Sequence, residues 1–133
     1  MTPEAANHIA RARDTLIDAR TIASLPLPHI AARECYLAVF HAAQAYIVTH
    51  TGKAAKTHRG VRSEFARLAQ QDSRLSRDLV RFLVRAYSFK STSDYGIGPL
   101  RDEVTPSQAN EAVSMASRFG EAIAEVLEIG GQP

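Results

Sequence analysis

The sequence predicts an all-α fold, an antiparallel up-and-down helical bundle of about five helices that forms a single domain over residues 1–133. Apolar residues recur at steps of three and four along almost the whole chain, whereas the alternation typical of strands is nowhere convincing. Proline and glycine interrupt this pattern at only a few places, so the predicted connections are short. At 133 residues and 45% hydrophobic, the chain can bury one core and is too short for two.

The first two helices are bounded by clear start and stop signals. Thr2 followed by Pro3 is a favoured N-cap and first-turn pair. Two prolines end the first helix, and the second of them, Pro28, opens a helix that we expect to run to about His50. Gly52 follows at a typical C-terminal position.

The remaining three helices are shorter or flanked by polar segments. Thr57 can cap a third helix, and a fourth is expected from about Leu75 to Lys90. The stretch DYGIGPLRDEV then predicts a loop, and Thr105 with Gln108 forms a capping box for the last helix. The predicted apolar face of the fourth helix consists of Leu75, Leu79, Phe82, Leu83, Ala86 and Phe89.

The charge of the chain is small overall but unevenly distributed. The net charge is +2, yet the segment from Lys53 to Arg85 carries nine basic residues against three acids, and the segment from Asp102 to Glu128 carries six acids against one arginine. The single cysteine, Cys35, excludes an internal disulfide, fits a reducing cytosol and is expected to be a small buried thiol. No signal peptide or membrane span is predicted, so we expect a cytoplasmic protein.

Several kinds of site are disfavoured by the motifs that the chain lacks. No Glu-x-x-His pair of the kind that builds di-iron centres in helical bundles is present, and the five histidines occur singly. There is no GxSxG elbow, and the GIGP stretch lacks the spacing and the Lys-Ser/Thr of a phosphate loop. We therefore expect no metal and no other cofactor.

The corner before the third helix is the first candidate site. Lys56, Thr57, His58 and Arg59 surround the expected helix start, where the macrodipole disfavours cations and the free backbone N–H groups favour anions. A phosphate-binding corner for a nucleotide or an RNA backbone is one interpretation. An exposed loop whose charges are screened by salt is the other, and the sequence leaves both open.

Two further features have an ordinary structural interpretation. Four arginines share one face of the fourth helix with Asp78, which predicts a solvated, salt-bridged surface more than a nucleic-acid stripe. His41, which follows Phe40 on a mostly apolar helix, is typical of a core histidine when taken alone. The four arginines are Arg74, Arg77, Arg81 and Arg85.

Three blocks in register resemble the HEPN domain family, in its branch of small stand-alone prokaryotic proteins. The blocks begin at Tyr36 (YLAVFHAA), at Lys56 (KTHRGV) and at Lys90 (Lys-x-x-x-Asp-Tyr). The resemblance implies a helical bundle that is commonly a homodimer. It also implies an RNA-cleaving toxin, or an RNA- or nucleotide-binding protein, often encoded beside a minimal nucleotidyltransferase.

The third block departs from the ribonuclease pattern of the family, in which an arginine is followed by four to six residues and a histidine. No arginine in this chain has that spacing to a histidine, and Lys90 stands where the arginine is expected, with Asp94 and Tyr95 in place of the histidine. Lysine gives a point charge without a bidentate fork, and an ordinary aspartate is a weak base. This favours binding over catalysis, with at most weak metal-free ribonuclease activity.

These observations predict an RNA- or nucleotide-binding protein that works with a nucleotidyltransferase or a toxin–antitoxin partner. We expect Lys90, Asp94 and Tyr95 to gather with His41 near Tyr36 at a dimer groove, with Tyr95 a candidate for adenylylation by analogy to the family. The alternative is a non-catalytic helical interaction and dimerisation module. The expected partners are therefore a second copy of the chain, a nucleotidyltransferase and RNA, and no membrane.

Overall fold

The computed structural model of the protein describes the backbone of residues 1–95 and 104–130 and the side chains of residues 1–90 and 104–128. Within these ranges the chain forms five α-helices and no strand, which confirms the predicted all-α bundle. The helices are α1 (Pro3–Ala23), α2 (Pro28–Thr51), α3 (His58–Ala69), α4 (Arg77–Tyr95) and α5 (Pro106–Gly130). None of the described helices has an apolar stretch long enough to cross a membrane.

The predicted helix starts are reproduced by observed caps. The Thr2 hydroxyl accepts the N–H of Ala5 at 3.2 Å, and Thr57 caps α3 in the same way. At the start of α5, Thr105 and Gln108 exchange the two hydrogen bonds of a capping box, at 2.9 and 3.1 Å. Short polar side chains at these positions satisfy N–H groups that the first helical turn leaves unpaired.

Helix α4 begins later and ends later than the sequence predicts. Asp72 accepts the backbone N–H of Arg74 at 3.1 Å, and its carbonyl accepts the N–H of Leu75, so this segment forms a turn and α4 starts at Arg77. At the other end the helical backbone continues past Lys90 to Tyr95. Asp94 and Tyr95, predicted to begin a loop, therefore belong to the helical backbone.

The central helix of the bundle is α2, which contacts each of the other four helices. It is apolar on nearly all sides, as is typical of a helix that is surrounded by protein. Six of its alanines are buried, and their small side chains let the neighbouring helices approach closely. Large rings fill the remaining core, including Tyr36, Tyr46, Phe65, Phe82 and Phe119.

A buried carboxylate ties α2 to the turn that precedes α4. The hydroxyl of Tyr46 donates to Asp72 at 2.7 Å, and the guanidinium of Arg74 donates to both oxygens of the same carboxylate at 2.8 Å. Only 9% of the Asp72 side chain is exposed. The hydrogen bonds, that from Arg74 above all, outweigh burial and lower the pKa of Asp72 below its usual range.

We expect Asp72→Asn to destabilise the protein by about 1.5–3 kcal/mol at pH 7, because it removes charge-assisted hydrogen bonds from a buried site. A carboxyl with a lowered folded pKa contributes stability above its unfolded pKa of about 3.9, and that contribution is lost as the pH falls through the folded value. Urea unfolding at pH 7 and pH 3 should therefore show a smaller difference between variant and wild type at pH 3. Asp78→Asn is the control, since the exposed Asp78–Arg81 pair at 3.4 Å contributes little. Equal losses for the two variants would contradict this account.

Candidate functional site

The corner between α2 and α3 is held in place by a buried glutamine. Gln44 of α2 is only 4% exposed and forms two hydrogen bonds of 2.9 Å to the backbone N–H and C=O of Ala55. Gly52, with a φ of 86°, ends α2 in the left-handed conformation that glycine adopts readily. The loop is therefore held against α2 at Ala55, and this contact fixes the position of the first turn of α3.

The residues predicted to bind phosphate lie at this start of α3. The Thr57 hydroxyl accepts the N–H of Gly60 at 2.8 Å, and a Cβ at Gly60 would come within 3.0 Å of that hydroxyl. Lys56, Thr57 and Arg59 are exposed, whereas His58 is half-buried. No acidic residue lies in the first turn of α3, so its positive macrodipole is not neutralised locally.

His58 is surrounded by aromatic side chains from two other helices. Its Nδ1 lies 2.7 Å from the hydroxyl of Tyr36, which is fully buried on α2. The imidazole centroid is 4.7 Å from the ring of Phe40 and 5.9 Å from the ring of Tyr87 on α4. We call these four residues together with Arg62 the His58 cluster.

Arg62 lies one helical turn after His58 and completes the cluster. Its guanidinium carbon is 3.9 Å from the centroid of the Tyr87 ring, a cation–π contact. One guanidinium nitrogen, Nη1, is buried and has no hydrogen-bond partner within the described part of the chain. Leaving a buried donor unpaired is costly, and because Nη1 is not exposed to solvent, an anion reaches it only if the surrounding side chains move.

The protonation of the cluster follows from the environment of Tyr36. Burial raises the pKa of Tyr36 to about 12, against the opposing charge and hydrogen bond of Arg62, so its phenol is neutral at pH 7. Because arginine can only donate, Arg62 favours the arrangement in which the phenol oxygen accepts and the phenol proton is directed to His58 Nδ1. In that arrangement the neutral form of the His58 ring carries its proton on Nε2.

The three site residues predicted at the end of the fourth helix come after Tyr87, the member of the His58 cluster on α4. They are Lys90, Asp94 and Tyr95. Lys90 is half-buried and lies three residues beyond Tyr87, which places it on a neighbouring part of the same helix side. The side chains of Asp94 and Tyr95 lie outside the described residues, although the helical backbone includes both positions. Position 94 is seven residues, or about two turns, beyond Tyr87, so the backbone register puts it on the side of α4 that carries Tyr87. The gathering of all three residues with His41 stays a prediction.

His41 is oriented toward α1. Its Nδ1 is buried without a hydrogen-bond partner among the described residues, and its ring lies 5.5 Å from that of Phe40. Burial, and then the charges of Arg11 and His8 on α1, lower the pKa of His41. The charged neighbours identified for His41 are thus on α1, whereas His58 is the histidine that meets α4.

The sequence did not single out Arg62 or Tyr87, although the structure places both in the cluster. The available signal was the four-residue step from His58 to Arg62, which puts both on one face of α3. Nothing local marks Tyr87, because it reaches His58 only through the packing of α4 on α2 and α3. Cys35 is buried as expected, and burial raises the pKa of its thiol to about 12, which makes it a poor nucleophile. Among the described residues, no three histidine, cysteine or acidic side chains gather as metal ligands.

Comparison with known proteins agrees with the resemblance seen in the sequence. The family profile described as "HEPN domain" matches residues 5–127. The crystal structure of TT1696 from Thermus thermophilus superposes with a TM-score of 0.75 at 20% sequence identity, covering 93% of this chain and 98% of that one. At this identity the likeness establishes a shared fold. No curated protein sequence matches the chain.

We expect Gln44→Leu to loosen the corner that presents His58, because it leaves the N–H and C=O of Ala55 without their partners, at a cost of about 1–3 kcal/mol. Trypsin offers a direct measurement, since Lys53 and Lys56 lie in this loop. Cleavage at these two lysines under native conditions should be faster than in wild type. The exposed Gln71→Leu serves as the control and should leave the rate unchanged. An unchanged rate in Gln44→Leu would show that the loop does not depend on the glutamine.

Proposed function

The chain belongs to the HEPN domain family, and from this membership and the His58 cluster we propose that it is an RNA- or nucleotide-binding protein. The observation that carries the proposal is Arg62. Its guanidinium is stacked on Tyr87, and its Nη1 is buried without a partner among the described residues. Arginine in this state is suited to phosphate, which it can contact through two parallel N–H donors.

The surroundings of Arg62 support the same ligand chemistry. Lys56 and Arg59 are exposed at the start of α3, where the helix end also favours an anion. Planar aromatic and guanidinium groups provide surfaces on which a nucleobase can stack. A phosphate near Arg62 with a base against the aromatic rings would use both properties. Lys90, one turn beyond Tyr87, would add a further point charge.

We propose binding, with at most weak metal-free ribonuclease activity, as the main role. The arginine–histidine spacing of the ribonuclease members is missing, and the Nδ1 of His58 is already engaged by Tyr36. A general base must be within reach of the proton that it removes. The third motif offers a cation, Lys90, and a modifiable hydroxyl, Tyr95. With Asp94 as the remaining member, it is less suited to serve as an acid–base pair.

A nucleotidyltransferase in a toxin–antitoxin pair is the partner that family membership favours, with Tyr95 as the residue to be adenylylated. Its backbone lies in the last turn of α4. Capture of a nucleotidyltransferase with the tagged protein from the native host would support this partner. Captured material without such an enzyme would refute it.

A second candidate function, a helical interaction and dimerisation module, is favoured by the surface between α1 and α5. A groove of about 530 Å³ there has a floor of small residues, including Ala12, Ala116 and Gly120. Arg13 and Arg20 line its α1 side, and its α5 side is acidic, with Glu121, Glu125 and Glu128. A second copy related by a two-fold axis would place each basic side against an acidic one. Homodimerisation is compatible with RNA binding, because the groove does not include the His58 cluster.

We expect Arg62→Ala to weaken binding of a fluorescent eight-nucleotide RNA by about 10- to 100-fold, the range expected for one charge-assisted contact. The slope of log K against log salt should fall by about 0.7, which corresponds to one phosphate contact on a single strand. Arg62→Lys should recover only part of the affinity, since lysine lacks the planar fork. Arg67→Ala is the control, because Arg67 pairs with Glu64 at 2.8 Å and lies on another side of α3. Wild-type protein without salt-dependent binding to RNA or mononucleotide would refute the proposed function.

For the dimer, we expect Ile17→Asp to yield a monomer, because Ile17 borders the α1–α5 groove and is 57% exposed in the single chain. A buried carboxylate at a two-fold interface would be strongly unfavourable. Light scattering at micromolar concentration should give twice the 14.5 kDa chain mass for wild type and the chain mass for the variant. Leu25→Asp, at a residue exposed to a similar extent but outside the groove, should remain dimeric. A monomeric wild type would refute the predicted homodimer.

A further inference from the structure

A groove leads away from the His58 cluster between α3 and α4. Arg62 and Tyr87 form one end of it. At the other end, a cavity of about 500 Å³ is lined by Ala66 of α3, by Gln70 directly after α3, and by Arg77, Val80 and Arg81 of α4. We call this surface the α3–α4 groove. From Arg77 to Tyr87 it extends about 15 Å along the axis of α4.

The register of the two helices places residues from both ends of the groove on one side of each helix. On α3, steps of four residues carry one side of the helix from His58 through Arg62 and Ala66 to Gln70. On α4, Val84 lies one turn after Val80 and one turn before Tyr87 in the helical register, and its side chain is 54% exposed. An exposed valine between cationic side chains gives the middle of the groove an apolar surface.

The charge of the groove is positive and only weakly compensated. Arg81 approaches Asp78 at 3.4 Å, but both side chains are 71% exposed, so this ion pair is weak and exchanges readily with another anion. Arg77 forms no ion pair with the described residues. Arg74, by contrast, is held by the buried Asp72 and is not available. The sequence predicted a solvated, salt-bridged arginine face, and within it Arg74 and Arg81 form ion pairs of different strength while Arg77 forms none with the described residues.

We infer that the ligand of this protein is a single-stranded RNA segment of several nucleotides, which lies along the α3–α4 groove from Arg77 to the His58 cluster. This inference rests on the proposed function and deepens it. Phosphates would contact Arg77, Arg81 and Arg62, while bases would pack against Val84 and the Arg62–Tyr87 stack. Cationic side chains along an apolar and aromatic strip are what a single strand requires, and the smallest such sites accommodate about four nucleotides. A mononucleotide would fill only one end.

The test measures how binding affinity depends on the length of the RNA and on which pair of arginines is removed. Binding of AMP and of fluorescent RNAs of two, four and eight nucleotides would be measured for wild type and for the double variant Arg77→Ala/Arg81→Ala. The control is Arg85→Ala/Arg118→Ala, which removes the same charge from two exposed positions. Arg85 lines a separate cavity between α4 and α5, and neither residue lines the cavity at Arg77 and Arg81. Circular dichroism would verify that each variant is folded.

We expect wild-type affinity to rise from AMP to the eight-nucleotide RNA. The Arg77/Arg81 double variant should lose about tenfold or more in affinity for the long RNA, with a salt slope lower by about 1.4, and should bind AMP as wild type does. The control pair should bind the long RNA far better than the groove variant does.

Three results would overturn the inference. Affinity that does not depend on RNA length, or equal losses in the two double variants, would leave the proposed function standing with a mononucleotide-sized site. An eight-residue polyglutamate peptide that binds as tightly as RNA, with the same dependence on Arg77 and Arg81, would assign the groove to an acidic protein. The absence of binding to AMP and to every RNA would instead refute the proposed function itself.

Discussion

The buried hydroxyl of Tyr36 is the constraint on which the arrangement of the site depends. A phenol inside the apolar core must keep its hydrogen bonds, because an unsatisfied buried hydroxyl costs several kcal/mol. His58 provides the partner at 2.7 Å, and Arg62 contributes its charge and a further hydrogen bond. The start of α3 is therefore fixed to the central helix, and Tyr87 of α4 packs against both aromatic rings. One satisfied polar group positions side chains from three helices.

The same logic applies to a second buried polar group of α2. Gln44 turns both ends of its amide to the backbone of Ala55, so the loop before α3 has little freedom. Tyr36 and Gln44 lie on a mostly apolar helix, and both fix the corner before α3, as Tyr46 fixes the turn before α4. A binding site benefits from this rigidity, because groups that are held in place before the ligand arrives lose less entropy on binding.

Much of the fold follows from local signals in the sequence. The hydroxyl caps at Thr2, Thr57 and Thr105 identify helix starts, and the apolar spacing identifies the buried face of α4. The sequence did not predict that α4 would begin two residues later, because that depends on Asp72 meeting Tyr46 and Arg74 across the chain. The site was predictable only in part. His58 and Lys90 are marked by their surroundings in the sequence, while the contacts of Arg62 and Tyr87 arise from tertiary packing.

The protonation of His58 gives the most direct test of this account. If Tyr36 donates to Nδ1, then at alkaline pH the neutral imidazole must carry its proton on Nε2. Nitrogen-15 NMR of the histidine ring distinguishes the two tautomers. We predict the Nε2–H form for wild type and a changed His58 spectrum in Tyr36→Phe, with the protein still folded. An Nδ1–H ring, or a His58 signal that is indifferent to the loss of the Tyr36 hydroxyl, would contradict the account.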